Sequence, residues 1–255
     1  DGALEPESDE ILPGSLPVAM PRSDKPPAPE VDNGKTPFIV GIGASAGGLE
    51  ALEQFFDHCV HDSGAAFVVV QHLSPDHKSM MNNLLARHTR MAVQIVEDGM
   101  PVQANQVYLI PPGAIMRVSS GQFHLSPKSP HGLTLPIDIF FTTLSEAYGP
   151  KAVGVVLSGT GSDGTRGAVA INAAGGFLLA QDPEQAKFDG MPRSVIATGL
   201  VDAILPVDQI GARLIAHITN QPIVEAAVAL EEPAAKAMAL AGVKPGSSHC
   251  AFISK

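Results

Sequence analysis

The chain has 255 residues, 45% of them hydrophobic, which is enough for one large α/β domain or two small ones with a sizeable core. A formal charge of −10, no Trp, two Tyr and no Lys/Arg-rich run argue against a nucleic-acid partner. No apolar run approaches the ~18 residues of a membrane span, and the five acids without a base in residues 1–10 are not a signal peptide.

Residues 1–37 hold eight prolines, eight acids and three bases, with no apolar periodicity. They read as an acidic, Pro-rich tail or linker. Residues 38–218 carry the periodic pattern of a folded domain. Residues 219–255 are Ala-rich and read as a second tail or linker. The chain does not begin with Met, and reads as a piece of something longer.

The first strand is predicted at residues 38–43 and runs into the glycine-dense turn Gly43-Ala44-Ser45-Ala46-Gly47-Gly48. Leu49, Leu52, Phe55, Phe56 and Cys59 then recur on one helical face. Phe67-Val68-Val69-Val70 is a continuous apolar strand of the kind buried on both faces of a parallel sheet, and ends at His72. A helix over residues 80–88 and a strand over 93–96 extend a β-α-β-α-β order, the doubly wound pattern. Residues 107–110 form a short strand. Residues 115–119 and 122–126 form a hairpin turning at Ser120-Gly121, expected as an antiparallel excursion from the sheet. Helices at 137–148, 165–174, 191–198 and 207–218 alternate with strands at 153–157, 177–181 and 201–205. The expected fold is α/β, a modified doubly wound, mostly parallel sheet with an antiparallel hairpin.

In such a sheet the chemistry gathers at the carboxyl ends of the strands. Ser45, His72 and Asp163 each follow a strand of their own, and together they are the three parts of a nucleophilic triad. Two glycine patterns offer a rival. Gly41-x-Gly43-x-x-Ala46 and Gly159-x-Gly161-x-x-Gly164 fit a dinucleotide fingerprint. That role wants an acid after the second strand, where Gln71-His72 stands, and Asp163 inside the second turn would repel a phosphate. Gly43-Ala44-Ser45-Ala46-Gly47 also fits G-x-S-x-G, the turn that raises a serine above a sheet. The chain order Ser, His, Asp differs from the Ser, acid, His order of the common α/β-hydrolases, so a separate fold is implied. Taken singly, each residue has a plainer role. Ser45 could cap the helix after it, Asp163 the helix at 165, and His72 could be structural.

The remaining candidates are weaker. His58, Cys59 and His61 lack a fourth ligand and read as a surface turn rather than a metal site. His77 is a substitute base, set deeper in its loop than His72. Cys59 and Cys250 form no CxxC, leaving two free thiols or a single bridge. Neither a metal nor a cofactor is called for.

Taken in order, several motifs resemble one family. They are Gly43-Ala44-Ser45-Ala46-Gly47-Gly48, Val70-Gln71-His72, Glu97-Asp98-Gly99, Tyr108-Leu109-Ile110-Pro111-Pro112-Gly113, Pro136-Ile137-Asp138-Ile139-Phe140-Phe141, the run from Gly154 to Gly164, and Gly190-Met191-Pro192-Arg193. Over residues 38–218 the chain resembles the catalytic domain of the chemotaxis protein-glutamate methylesterases (CheB-type). The resemblance implies Ser45 as nucleophile, His72 as base and Asp163 as the orienting acid. It implies an oxyanion hole from the backbone N–H groups of Ala46, Thr160 and Gly161, with Met191 at the substrate. The implied activity is hydrolysis of glutamyl methyl esters on the cytoplasmic helices of chemoreceptors, releasing methanol. Members often also deamidate glutamine.

Ala46 stands where the family commonly has Thr, and Thr160 where it commonly has Met. Backbone donors survive both changes. Residues 1–37 are too short for the family's receiver domain. Asp76-His77-Lys78 and the run from Lys187 to Arg193 are similar to the subgroup fused to methyltransferase and sensor domains. The expected partners are therefore methylated receptor helices and such fused domains in the cytoplasm, without nucleic acid or membrane insertion. The alternative from another class is a regulatory module that binds a receptor or partner without turnover.

Overall fold

The computed structural model describes residues 36–71, 80–129 and 134–220. His72, His77 and Cys250, and most of both expected tails, lie outside the described residues.

Seven strands form one parallel sheet. They are β1 (Ile39–Ala44), β2 (Ala66–Gln71), β3 (Ala92–Ile95), β4 (Gln106–Leu109), β7 (Ala152–Val156), β8 (Phe177–Gln181) and β9 (Ala203–Leu205), in the spatial order β3-β4-β2-β1-β7-β8-β9. β5 (Ala114–Ser119) and β6 (Gln122–Pro127) pair antiparallel with each other in a separate two-stranded sheet. The expected antiparallel hairpin is present and leaves the main sheet altogether. It packs on a helix: Met116, Val118 and Phe123 are buried in one cluster with Phe140, Phe141 and Leu144. Its β6 edge is bonded to the segment before β4: Gly99 N–H donates to the Phe123 carbonyl at 2.8 Å, and Phe123 N–H donates to the Met100 carbonyl at 2.9 Å, beside an isolated bridge from Pro101 to Gln122.

Among the described residues six α-helices cover the sheet: α1 (Gly48–Asp57), α2 (Met80–Leu85), α3 (Pro136–Tyr148), α4 (Thr165–Ala173), α5 (Gly190–Ile196) and α6 (Val207–Thr219). The period-2 alternation of the strands divides the core in two. Val40, Ile42, Phe67, Val69, Val153 and Val155 face α1 and α6, meeting Leu52, Phe55, Phe56, Ile210 and Leu214. Val68, Val70, Val156 and Leu178 face the other way, against α3, α4 and α5. Burying each such side chain is worth about 1.5–3 kcal/mol. The central strands are apolar throughout because both of their faces are covered.

On the α3 face, β1 presents Gly41 and Gly43, where β2 presents Val68 and Val70 and β7 presents Gly154 and Val156. A Cβ at Gly43 would lie 2.7 Å from Ile137 Cγ2, and one at Gly41 would lie 2.8 Å from Phe141. Missing side chains let α3 lie directly on β1, with its first turn against the strand's carboxyl end. That close approach positions the candidate site.

The strip His58-Cys59-His61 is not simply a surface turn. Cys59 is a free, buried thiol, and burial pushes its pKa up to about 12. His58 Nδ1 lies 2.8 Å from the Gln54 carbonyl and His61 Nδ1 lies 3.3 Å from Thr89 Oγ1. Among the described residues no group of three or more His, Cys, Asp or Glu is placed to hold a metal ion. None of the described helices is long and apolar enough to cross a membrane.

Candidate active site

Ser45 is the first residue beyond β1. Its N–H donates to the Ser158 carbonyl at 3.0 Å, and its own carbonyl accepts from Gly48 N–H at 2.9 Å. These bonds close the turn, with Gly47 at φ 68°, a value that L side chains rarely adopt. Ser45 is not the cap of α1. The N-cap position is Gly47 and makes no side-chain capping bond, which leaves the Ser45 hydroxyl out of the helix's own bonding.

The register of the sheet brings two further strand ends beside it. Ala44 pairs with Gln71 of β2, and Gly43 pairs with Val156 of β7. Ser45 and His72 are therefore the residues that follow directly paired positions of adjacent parallel strands. Gln71 Nε2 reaches the Ser45 carbonyl at 3.4 Å.

The loop after β7 wraps over Ser45. Gly159 makes the contact: a Cβ there would lie 3.0 Å from Ser45 Cβ and 2.2 Å from Met191 Sδ. Met191 is buried, and its N–H donates to the Gly159 carbonyl at 2.9 Å. The structure thus brings Ser45, Gly159 and Met191 together. Beyond them, the N–H groups of Ala46, Thr160 and Gly161 have no hydrogen-bond partner among the described residues. The Gly159 N–H is occupied, donating to the Phe188 carbonyl at 2.9 Å.

Asp163 is buried at the end of this loop. It does not cap α4, whose N-cap Gly164 likewise makes no side-chain bond. It caps α3 instead. Its carboxylate accepts from the N–H groups of Ile137, at 3.1 Å, and Asp138, at 2.9 Å. Asp138 reciprocates across the interface, accepting from Gly167 N–H in the first turn of α4 at 3.0 Å. Burial pushes the Asp138 pKa up and the Asp163 charge adds to the rise, while N–H groups at the start of α4 pull it the other way. Two carboxylates, each set at the other's helix N-terminus, lock α3 to α4. The same arrangement fills with a carboxylate a helix end that a dinucleotide phosphate would use.

Ser158 was not singled out by the sequence. It is 1% exposed, and every polar group on it is engaged. Its Oγ donates to the Ala46 carbonyl at 2.9 Å and accepts from Phe188 N–H at 3.0 Å. Its N–H donates to Gln181 Oε1 at 2.9 Å. One side chain therefore ties the Ser45 turn to the segment before α5. The partners come from residues far apart in the chain, so no local spacing signals the role.

A family model described as CheB methylesterase matches residues 40–214. The chain belongs to the CheB methylesterase family. It is 34% identical over 204 residues to a Burkholderia lata protein named protein-glutamate methylesterase/protein-glutamine glutaminase 2, covering 76% of this chain and 58% of that protein. A Myxococcus xanthus protein of the same name, number 1, is 35% identical over 188 residues, covering 72% and 54%. An uncharacterized 104.1 kDa protein of Rhodobacter capsulatus is 50% identical over 153 residues, covering 60% of this chain and 16% of that protein. The chain thus spans little more than half of the named methylesterases, and a small part of the Rhodobacter protein. Among solved structures, the catalytic domain of Thermotoga maritima CheB methylesterase matches with a TM-score of 0.65 and 31% identity, covering 71% of this chain and 98% of that one. The α/β fold with its parallel sheet and separate hairpin is that of this family.

Proposed function

We propose that residues 38–218 form a serine esterase that hydrolyses glutamyl methyl esters on chemoreceptor helices, releasing methanol, and that can deamidate glutamine. The observation that carries it is the alignment of strand ends. Ser45 and His72 follow paired positions of β1 and β2, and Asp163, in the loop after β7, bonds the N–H of Ile137, the α3 residue that packs on Gly43 of β1. The names of the relatives point to the same substrate class.

Ser45 Oγ attacks the ester carbonyl as His72 removes its proton. Asp163, its carboxylate held by two α3 N–H groups, orients the imidazole and balances its charge. The N–H groups of Ala46, Thr160 and Gly161 receive the oxyanion, each donor being worth about 3–4 kcal/mol in comparable sites. Protonated His72 then gives its proton to the departing methoxide. A water activated by the same imidazole hydrolyses the acyl-enzyme, returning a glutamate carboxylate and free Ser45. Met191, buried against Gly159, forms the wall beside the scissile group. Neither Ala46 nor Thr160 contributes a side chain to these steps, so the two departures from the family pattern leave the chemistry intact. Fused methyltransferase and sensor domains, and a cytoplasmic setting, follow from the same family reading, with residues 1–37 and 219–255 as linkers.

The test is methanol release from methylated receptor helices, together with labelling by a fluorophosphonate probe. Wild type should release methanol and label at Ser45. Ser45→Ala should lose the label and about 10⁶-fold in kcat. Equal release by both proteins would remove Ser45 from the chemistry, and a folded wild type that neither labels nor releases methanol would leave a binding module in place of the enzyme.

A further inference from the structure

Phe188 is the only exposed aromatic side chain among the described residues, 40% accessible in a protein whose other large exposed apolar residues are aliphatic. Its backbone is fixed at both ends. Its N–H donates to Ser158 Oγ at 3.0 Å, and its carbonyl accepts from Gly159 N–H at 2.9 Å. Gly159 is the residue that touches Ser45 Cβ, so the Phe188 backbone stands one hydrogen bond from the nucleophile's immediate neighbour.

The residues on either side are spent on internal ion pairs. Lys187 Nζ pairs with Glu50 at 2.8 Å, bridging to α1. Asp189 pairs with Arg193, which also holds Glu184 at 3.0 Å. Arg193 holds the Asp189 carboxyl below the ordinary carboxylate range. The strap 187–189 therefore presents solvent with one uncommitted side chain, an aromatic ring on a pinned backbone, ringed by paired charges. An apolar centre inside a polar rim is the anatomy of a binding hot spot. The rigid backbone also reduces the ordering cost of engaging it.

We propose that Phe188 is a substrate-binding anchor. It packs against an apolar side chain on the protein substrate's surface next to the esterified glutamate, and so selects a folded protein ester over a small one. This rests on the esterase reading of Ser45. Its occupant is the substrate protein, because the strap is continuous with the Ser45 turn: Lys187 packs on Gly47, and the Phe188 carbonyl holds Gly159, which touches Ser45.

Kinetics on two esters, p-nitrophenyl acetate and a methyl-esterified chemoreceptor cytoplasmic fragment, test it. Phe188→Ala should raise KM for the fragment about tenfold, with a much smaller fall in kcat, and the loss in kcat/KM should be at least about fivefold greater on the fragment than on p-nitrophenyl acetate. Phe188→Leu should restore KM to within about threefold. An unchanged KM, or equal losses on both esters, would overturn the anchor. Calorimetric binding of the same fragment to Ser45→Ala and to Ser45→Ala/Phe188→Ala needs no turnover. A tenfold weaker Kd in the double variant supports the anchor even where wild type hydrolyses neither ester, and an equal Kd overturns it.

Discussion

The two glycine-rich turns, residues 41–48 and 159–164, look interchangeable as sequence, since Gly41-x-Gly43-x-x-Ala46 and Gly159-x-Gly161-x-x-Gly164 both fit G-x-G-x-x-G/A. In the structure they do opposite things. The first is closed by its own bonds, Ser45 N–H to Ser158 and Gly48 N–H to Ser45, and it holds one hydroxyl still. The second is a lid over the first. It contributes contact through Gly159, N–H groups at Thr160 and Gly161 that have no partner among the described residues, and a carboxylate anchored on a neighbouring helix. Similar spacing therefore conceals a division of labour, in which one turn carries the reactive group and the other carries what stabilises charge around it.

The division breaks most severely at its charged end. Asp163→Asn replaces one acceptor oxygen with an N–H₂ group facing the Ile137 and Asp138 N–H groups. One capping bond is lost, costing about 0.5–2 kcal/mol in unfolding free energy. The imidazole loses its charge partner, and kcat should fall about 10⁴-fold, less than for Ser45→Ala. Denaturant titration and steady-state kinetics on the same preparation separate the two effects. A greater loss than Ser45→Ala would give the acid another role.

Gly159→Ala tests the contact between the turns. The new methyl would lie 2.2 Å from Met191 Sδ and 3.0 Å from Ser45 Cβ, so the lid or the nucleophile must shift. A displacement approaching 1 Å costs about 10²-fold in rate, and kcat on p-nitrophenyl acetate should fall by that order. Full activity would mean that Met191 can swing away without consequence.

Ser158→Ala cuts the tie without adding atoms. The Ala46 carbonyl and Phe188 N–H both lose a partner, while the backbone bond from Ser45 to residue 158 remains. A loss of about tenfold in kcat, with about 1–3 kcal/mol of stability, should be recovered largely by Ser158→Thr, which keeps the hydroxyl. Failure of Thr to rescue would mean that the site depends on volume at 158 rather than on the hydrogen bonds.

How much of this was legible beforehand follows the range of the interactions. β1, β2 and β7 were readable because burial on both faces demands an unbroken apolar run. Ser45 and Asp163 were readable because each follows such a run within a few residues. The limits arose where distant groups substitute for local ones. β9 begins at Ala203 rather than Val201, because at Asp202 the backbone N–H still donates to the Leu178 carbonyl, at 2.9 Å, but the Leu178 N–H is taken by the Asp202 side chain, Oδ2 accepting at 2.7 Å. α2 ends at Leu85, short of the expected His88. The hairpin's independence was hidden because alternation reports a covered face but not what covers it. Asp163 looked like a cap for the helix that follows it, and caps instead a helix that begins 27 positions earlier in the chain. Ser158, Gln181 and Phe188 meet only after folding, and a small polar residue at a strand end gives no sign of three tertiary bonds.

The smallest effect should come from Gly161, the second turn's most open position. Its φ is +82°, and a Cβ there would meet nothing within 4 Å. Gly161→Ala therefore tests backbone strain without steric collision. An L residue in this region costs about 1–2 kcal/mol, offset in part by the lower entropy of the unfolded chain. A net destabilisation of about 1 kcal/mol is expected. If the Gly161 N–H helps to hold the oxyanion, any relaxation of φ rotates that donor, and kcat should fall about threefold with KM unchanged. Loss of stability with no change in kcat would assign the strain to the fold alone and leave the oxyanion to Ala46 and Thr160, making the first turn a contributor of charge stabilisation as well as of the hydroxyl.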